Sequence, residues 1–122
     1  MADNLNGKWK CTSALLGGGD FQYKNLSVEV KNGNYYSVVN NQKETGQVQV
    51  NESTSPKQMD VSIKEGPNQG KTLPAIYDLK GKELTVCYNI IGSNRPTDFT
   101  STKENGFLLL KFQKSSKFLF WS

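Results

Sequence analysis

The amino-acid sequence predicts an all-β fold, an antiparallel up-and-down β-barrel of about eight strands. Apolar and polar side chains alternate with a period of two along most of the chain, which is typical of half-buried strands. Turn residues interrupt this alternation at short intervals, and no long window has the spacing of an amphipathic helix. The 122 residues provide one hydrophobic core, so residues 1–122 are expected to form a single domain.

The strands follow from the alternation in chain order. The first contains Trp9 and Cys11, which share a face. Residues 14–25 include three consecutive glycines from Gly17 and are predicted to form a loop, since each glycine costs about 1 kcal/mol in a helix interior. The later strands are expected at Leu26, Val28 and Val30, at 35–39, at Gly46, Val48 and Val50, at Met59, Val61 and Ile63, at 72–79, at Leu84, Val86 and Tyr88, around Phe99 and at 107–112.

Turn residues separate these strands. Asn32-Gly33 is the strongest hairpin signal because both residue types tolerate positive φ. Asn105-Gly106 predicts another turn, and Pro74 within a strand favours an edge position or a bulge. Short antiparallel strands must hide their edges by closing into a barrel or by stacking as two sheets. A closed barrel of about eight strands is filled by side chains or holds one small ligand, and a sandwich with Greek-key crossings is the alternative.

The composition excludes several kinds of site. The chain has no histidine, which excludes Ser-His-Asp triads, Cys-His pairs and histidine metal sites. The net charge of +4 is concentrated late in the chain, since residues 1–105 hold twelve Lys/Arg against eleven Asp/Glu. Arg95 is the only arginine and no aromatic-basic motif accompanies it, so nucleic-acid binding is not expected. No metal site and no cofactor is predicted.

The two cysteines, Cys11 and Cys87, lie far apart in sequence and do not fill a zinc site without histidine. Two buried, unpaired thiols are favoured, since a disulfide requires the fold to bring their strands together. Residues 1–13 have no apolar signal core, and the longest apolar run, 107–110, is too short to span a bilayer. The compartment is left open, with the cytoplasm favoured for the chain as given and secretion if a leader was removed.

Several short motifs resemble a known family. Residues 5–9, Leu-Asn-Gly-Lys-Trp, resemble the Gly-x-Trp opening of the calycins, the superfamily of lipocalin and fatty-acid-binding barrels. A narrower similarity, to a small and mostly bacterial lipocalin-like domain family of unassigned function, covers nearly the whole chain. Its motifs are GKTL at 70–73, IYDL at 76–79, LTVCY at 84–88 and RPTDF at 95–99.

This resemblance implies a lipocalin-like barrel in which the tryptophan, here Trp9, closes one end. It also implies that a basic residue from late in the chain lies across the indole ring. The candidates are Arg95, Lys111 and Lys114. The resemblance implies no catalytic residue, and the Arg-x-Tyr carboxylate clamp of fatty-acid-binding proteins has no counterpart in this chain.

The candidate ligand-binding residues are Trp9, Tyr36, Tyr77, Tyr88, Arg95 and Asp98. The tyrosines place phenol groups inside a barrel only in the right register, since a one-residue slip exchanges the two faces. Arg95 is suited to anchor a carboxylate or phosphate, although an ion pair with Asp98 is the favoured alternative. Trp9 is favoured as an end-cap of the core over a ligand contact. Asp78 and Asp98 are the best carboxylate pair for acid–base chemistry, but no rule fixes their separation.

The sequence therefore favours a non-enzymatic protein that holds a small, partly apolar ligand inside the barrel, with residues 14–25 gating the end opposite Trp9. The alternative is a protein-interaction or inhibitor module that contacts its partner through loops and the aromatic, basic tail at 111–122. An enzyme would require that at least two of five residues meet in one pocket and have strongly shifted pKa values. These are Tyr77, Asp78, Tyr88, Arg95 and Asp98.

Overall fold

The computed structural model describes residues 5–23 and 25–115, and every regular element in these residues is a β-strand. The strands are β1 (Gly7–Leu16), β2 (Gly19–Asp20), β3 (Leu26–Lys31), β4 (Asn34–Val39), β5 (Gln42–Asn51), β6 (Lys57–Glu65), β7 (Thr72–Lys80), β8 (Glu83–Tyr88) and β9 (Leu108–Lys114). β2 is a two-residue arm that folds back on the end of β1. The other strands pair antiparallel in sequence order, and β9 pairs with β1 to close the sheet. The predicted eight-stranded, up-and-down barrel is therefore confirmed.

The inward faces follow the sequence pattern on most strands. Side chains at alternate positions are buried in the interior because the pleat sends successive side chains to opposite faces. The buried sets include Leu26, Val28 and Val30 of β3, Met59, Val61 and Ile63 of β6, and Leu84, Val86 and Tyr88 of β8.

Residues with positive φ form several of the hairpin turns, among them the β3–β4 and β1–β2 turns. Asn32 and Gly33, with φ of 52° and 84°, connect β3 to β4 as the Asn-Gly signal predicts. Gly17 and Gly18, with φ of 58° and 85°, connect β1 to β2, and glycine adopts this conformation without a steric penalty. The prediction of a loop over 14–25 is wrong in its first part, because β1 continues into it and the glycines make a tight hairpin.

An irregularity in β1 changes which side chains face inward. Between Cys11 and Ser13 the pairing with β9 shifts by one residue, which leaves Thr12 as a β-bulge. Trp9 and Cys11 are buried before the bulge, and Ala14 is buried after it. The bulge therefore reverses the in–out alternation and keeps both halves of this long strand facing the core.

Residues 89–107, here the outer segment, connect β8 to β9 and cover the outer face of β7 and β8. Ile76 and Cys87 lie between inward-facing neighbours, so their side chains point to the outer face of the barrel. They are nevertheless only 1% and 0% exposed. The Cys87 thiol donates a hydrogen bond to the Thr100 carbonyl at 3.4 Å. The short strand predicted around Phe99 is not formed, because the closed barrel leaves no free strand edge for it to pair with.

Both cysteines are buried and unpaired, as the sequence favours. Cys11 belongs to the interior core, whereas Cys87 faces the outer segment. β9 lies between their strands, β1 and β8. Burial raises the pKa of both thiols, to about 11 for Cys87, so neither is a thiolate near neutral pH.

The interior is filled at one end of the barrel and hollow at the other. At the end that contains Trp9, here the closed end, large apolar side chains leave a void of only about 20 Å³. The opposite end, here the open end, carries the β4–β5 and β6–β7 turns and the start of the outer segment. The side chains around the void are Leu5, Trp9, Val28, Val30, Tyr35, Val48, Met59, Leu84, Val86, Tyr88 and Phe112.

Candidate ligand cavity

A cavity of about 510 Å³ enters the barrel at the open end. Its volume is typical of pockets that bind small molecules, which span about 300–1,000 Å³. Inward-facing side chains of six barrel strands form its walls, and Phe21, which follows β2, lies at its mouth. The apolar lining consists of Phe21, Leu26, Val28, Val39, Pro67, Leu73, Ile90, Leu108 and Leu110.

The floor of the cavity carries hydroxyl groups. Val28, Tyr35 and Tyr88 form this floor, because the same three side chains also border the small void beneath it. Ser37, which pairs with Val28 across the β3–β4 ladder, lines the lower wall and is 4% exposed. Two tyrosines and one serine therefore place polar groups at the buried end of an otherwise apolar chamber.

Burial keeps the floor phenols protonated. Desolvation raises the pKa of Tyr88 well above its usual value, and the neighbouring Tyr35 and Cys11 act in the same direction. Desolvation also raises the pKa of Tyr35, although the nearby Ser37 hydroxyl opposes the shift as a hydrogen-bond donor. Both phenols are therefore neutral at physiological pH, and their O–H groups are donors.

Polar side chains form the rim of the cavity: Asn40, Gln42, Glu44, Asn68 and Lys71. The Glu44 carboxylate accepts hydrogen bonds from the backbone N of Asn68 at 2.8 Å and from its Nδ2 at 2.9 Å. These bonds hold the β6–β7 turn against β5 at the opening. Lys71 is exposed and supplies the cation among the lining residues.

Trp9 lies outside the cavity lining and closes the other end of the barrel. The side chain is 1% exposed, and its Nε1 donates a hydrogen bond to the Leu5 carbonyl at 2.8 Å. Lys114 Nζ lies 5.6 Å from the centre of the indole ring, within range of a cation–π contact. Trp9 is thus an end-cap of the core, and its cation is Lys114 and not Arg95.

Arg95 lies on the outer wall of the barrel. Its Nη2 is 2.8 Å from Asp60 Oδ1, and its Nη1 donates to the carbonyls of Met59 at 3.1 Å and Ala75 at 2.9 Å. These contacts fasten the outer segment to β6 and β7. The predicted pair with Asp98 is wrong, because the fold brings a carboxylate from another strand closer to the guanidinium.

The remaining candidate carboxylates have their own local partners. Asp98 accepts a hydrogen bond from Thr100 Oγ1 at 2.7 Å. Asp78 lies 3.7 Å from Lys80 Nζ, with both side chains half-exposed or more. Neither carboxylate lines the cavity.

The strand register separates the three candidate tyrosines. Tyr36 is 45% exposed on the outer face of β4, and Tyr77 is buried in the core at the closed end. The Tyr77 hydroxyl is buried with no hydrogen-bond partner among the described residues. Burial raises its pKa to about 12, and the negative charge of Glu52 adds to the shift. Of the six candidates from the sequence, only Tyr88 lines the cavity.

Tyr35 and Ser37 are not among the residues predicted to bind a ligand, although the sequence contains a signal for both. The Asn32-Gly33 turn aligns β3 and β4 so that Val30 pairs with Tyr35 and Val28 with Ser37. Residues directly opposite in an antiparallel pair face the same side of the sheet. Since the valines are inward, Tyr35 and Ser37 must be inward too, and Tyr36 must face out.

The five residues named for an enzyme do not converge in the cavity, which contains only Tyr88 of that set. Within residues 5–23 and 25–115, no three Cys, Asp or Glu side chains cluster as metal ligands. The same residues contain no helix of the length and apolarity needed to cross a membrane. Most of the aromatic tail, including 118–121, lies outside the described residues, so the interaction-module alternative stays a prediction.

Comparisons with protein families, with curated protein sequences and with solved structures find no match to this chain. The barrel topology agrees with the fold that the calycin-like motifs imply, whereas membership of a lipocalin-like family stays a prediction.

Proposed function

We propose that the protein binds a small, partly apolar molecule in the cavity at the open end, without covalent chemistry. The observation that supports this proposal is the cavity itself, about 510 Å³ in a barrel whose other end is filled. A core that served stability alone would close this space, because unfilled volume in a protein interior is destabilising.

The lining suits an amphipathic ligand. Aliphatic and aromatic side chains cover most of the walls, while a few hydroxyl, amide and charged groups lie at the floor and the rim. Binding pockets of this kind gain affinity from apolar burial and orientation from a small number of polar contacts. Phe21, in the segment predicted as a gate, lies at the mouth, where a bound molecule would contact it.

A titration with 1-anilinonaphthalene-8-sulfonate tests the proposal. Its fluorescence rises in apolar surroundings, and we expect a saturable increase with one site per chain. The fluorescence of Trp9 is a poorer sensor, because this residue lies at the closed end and does not line the cavity.

Two matched substitutions locate the site. Ser37→Phe places a ring inside the cavity, and Ser27→Phe places the same ring on the exposed face of β3. We expect Ser37→Phe to weaken probe binding by about tenfold or more and Ser27→Phe to leave it unchanged. Circular dichroism and urea unfolding check that both variants are folded. An unsaturable response in the parent protein, or equal binding by both folded variants, would falsify the proposal.

A further inference from the structure

The polar groups of the cavity lie at its floor, at its rim and on the wall that β4 and β5 form between them. Tyr35 and Tyr88 lie at the floor, and Ser37 on β4 is directly opposite Glu44 on β5. The Glu44 carboxylate bonds to Asn68 at the rim, where the amides and Lys71 also lie. Leu26, Val39, Leu73, Leu108 and Leu110 are among the apolar side chains of the lining. A ligand that fills this space therefore meets hydrogen-bonding groups at both ends and mostly hydrocarbon on the walls formed by β3, β7 and β9.

The floor offers donors without a countercharge. Lys71, the cation of the lining, is at the exposed rim, and the Glu44 carboxylate at that rim is already bonded to Asn68. Tyr88 is 5% exposed, and its side chain borders both the cavity and the small void beneath it. An uncharged acceptor satisfies a buried hydroxyl, whereas a buried ion without an opposite charge is strongly disfavoured.

We propose that the ligand inserts an uncharged hydrogen-bond acceptor, a carbonyl of the ketone, ester or amide type, between the floor hydroxyls. This inference rests on the proposed binding function and adds the chemical class and orientation of the ligand. The phenol of Tyr88 donates to the carbonyl oxygen, with Tyr35 and Ser37 beside it. The apolar body of the ligand lies against the leucines and valines, and any charged group points to the rim near Lys71.

Three molecules with the same phenylalkyl body separate the possibilities. The compound 4-phenylbutan-2-one carries a ketone, butylbenzene carries no acceptor, and 4-phenylbutanoate carries a charge. Their affinities are measured by displacement of 1-anilinonaphthalene-8-sulfonate from the parent protein and from Tyr88→Phe. Tyr36→Phe is the matched control, because it removes the same hydroxyl from the outer face of the barrel.

We expect Tyr88→Phe to weaken the ketone by about two- to tenfold, the range for loss of one neutral hydrogen bond. Butylbenzene and 4-phenylbutanoate should bind both proteins equally, and Tyr36→Phe should bind all three as the parent does. If Tyr88→Phe does not fold, Tyr35→Phe serves in its place.

The outcomes separate this inference from the proposed function. Binding with no selective loss of the ketone, or with a larger loss of 4-phenylbutanoate, overturns the inference and leaves the binding cavity in place. Failure of all three compounds and of the fluorescent probe to bind contradicts the proposed function itself.

Discussion

The closed and open ends of the barrel are built from the same strands, but they differ in the side chains that face inward. On β5 the inward position at the closed end is Val48, and the next ones toward the open end are Gly46, Glu44 and Gln42. Val48 fills the interior, Gly46 has no side chain to do so, and the two polar residues reach the rim. The in–out alternation therefore decides that a barrel forms, while side-chain volume and polarity decide where it is hollow.

Backbone geometry explains the glycine on β5. The β5–β6 pairing shifts between Thr45 and Gly46, and a β-carbon on Gly46 would lie 1.9 Å from the Ser62 carbonyl oxygen. No larger residue fits there without moving the neighbouring strand. Strand pairing thus requires glycine at this position, and β5 contributes no side chain between Val48 and Glu44.

The largest expected difference between the two ends is in the cost of removing a leucine. Leu84 borders the small void at the closed end, and Leu108 lines the cavity. We expect Leu84→Ala to lower the free energy of unfolding by about 3–4 kcal/mol, because it opens a new void in packed surroundings. Leu108→Ala should lower it by about 1–2 kcal/mol, since it only enlarges an existing cavity.

Urea unfolding of the two variants measures these changes. Each carries the same substitution, so the difference between them reports packing at the two ends and not the chemistry of leucine. Equal losses would mean that the open end is as closely packed as the closed end, which would contradict the presence of a cavity there.

The sequence predicts the closed end better than the open end. Alternation identifies Val30, Met59, Val61, Leu84 and Val86 as inward residues, and all of them are buried. These side chains are strongly apolar, so the pattern alone fixes their face. At the open end the inward residues include serine, glutamate and glutamine, and their polarity hides the alternation.

Two features required tertiary information. The partner of Arg95 is Asp60, 35 residues away in sequence, and the outer segment brings them together across the barrel wall. The bulge at Thr12 reverses the alternation in β1, and no local residue type announces it. Tyr35 and Tyr36 are a different case, because the Asn-Gly turn already determines which of them faces inward.

The buried phenol of Tyr77 makes the closed end sensitive to high pH. Its pKa is raised to about 12 in the folded protein, above the usual value of 10, so folding favours the neutral form. The corresponding stability is fully present below pH 10 and is lost as the pH rises from 10 to 12. We expect the parent protein to lose about 1–2 kcal/mol more than Tyr77→Phe between pH 9 and pH 11.

Urea unfolding at the two pH values measures this loss, with Tyr36→Phe as the control for an exposed tyrosine. At neutral pH Tyr77→Phe should change stability by only about 1 kcal/mol, because it removes a single neutral hydroxyl. The same pH dependence in Tyr77→Phe and in the parent protein would show that this phenol does not ionise on unfolding in that range.

The smallest expected effect concerns the cation that covers the closed end. Lys114 Nζ lies 5.6 Å from the Trp9 ring centre, and the lysine stem packs over Gly7. Lys114→Met keeps the apolar stem and removes the charge, so it should cost about 0.5–1 kcal/mol, the value of a partly exposed cation–π contact. Lys111→Met, on the exposed face of the same strand, should cost less. If the two substitutions have equal effects in urea unfolding, Lys114 covers Trp9 through packing of its stem alone. Its charge then adds nothing to stability.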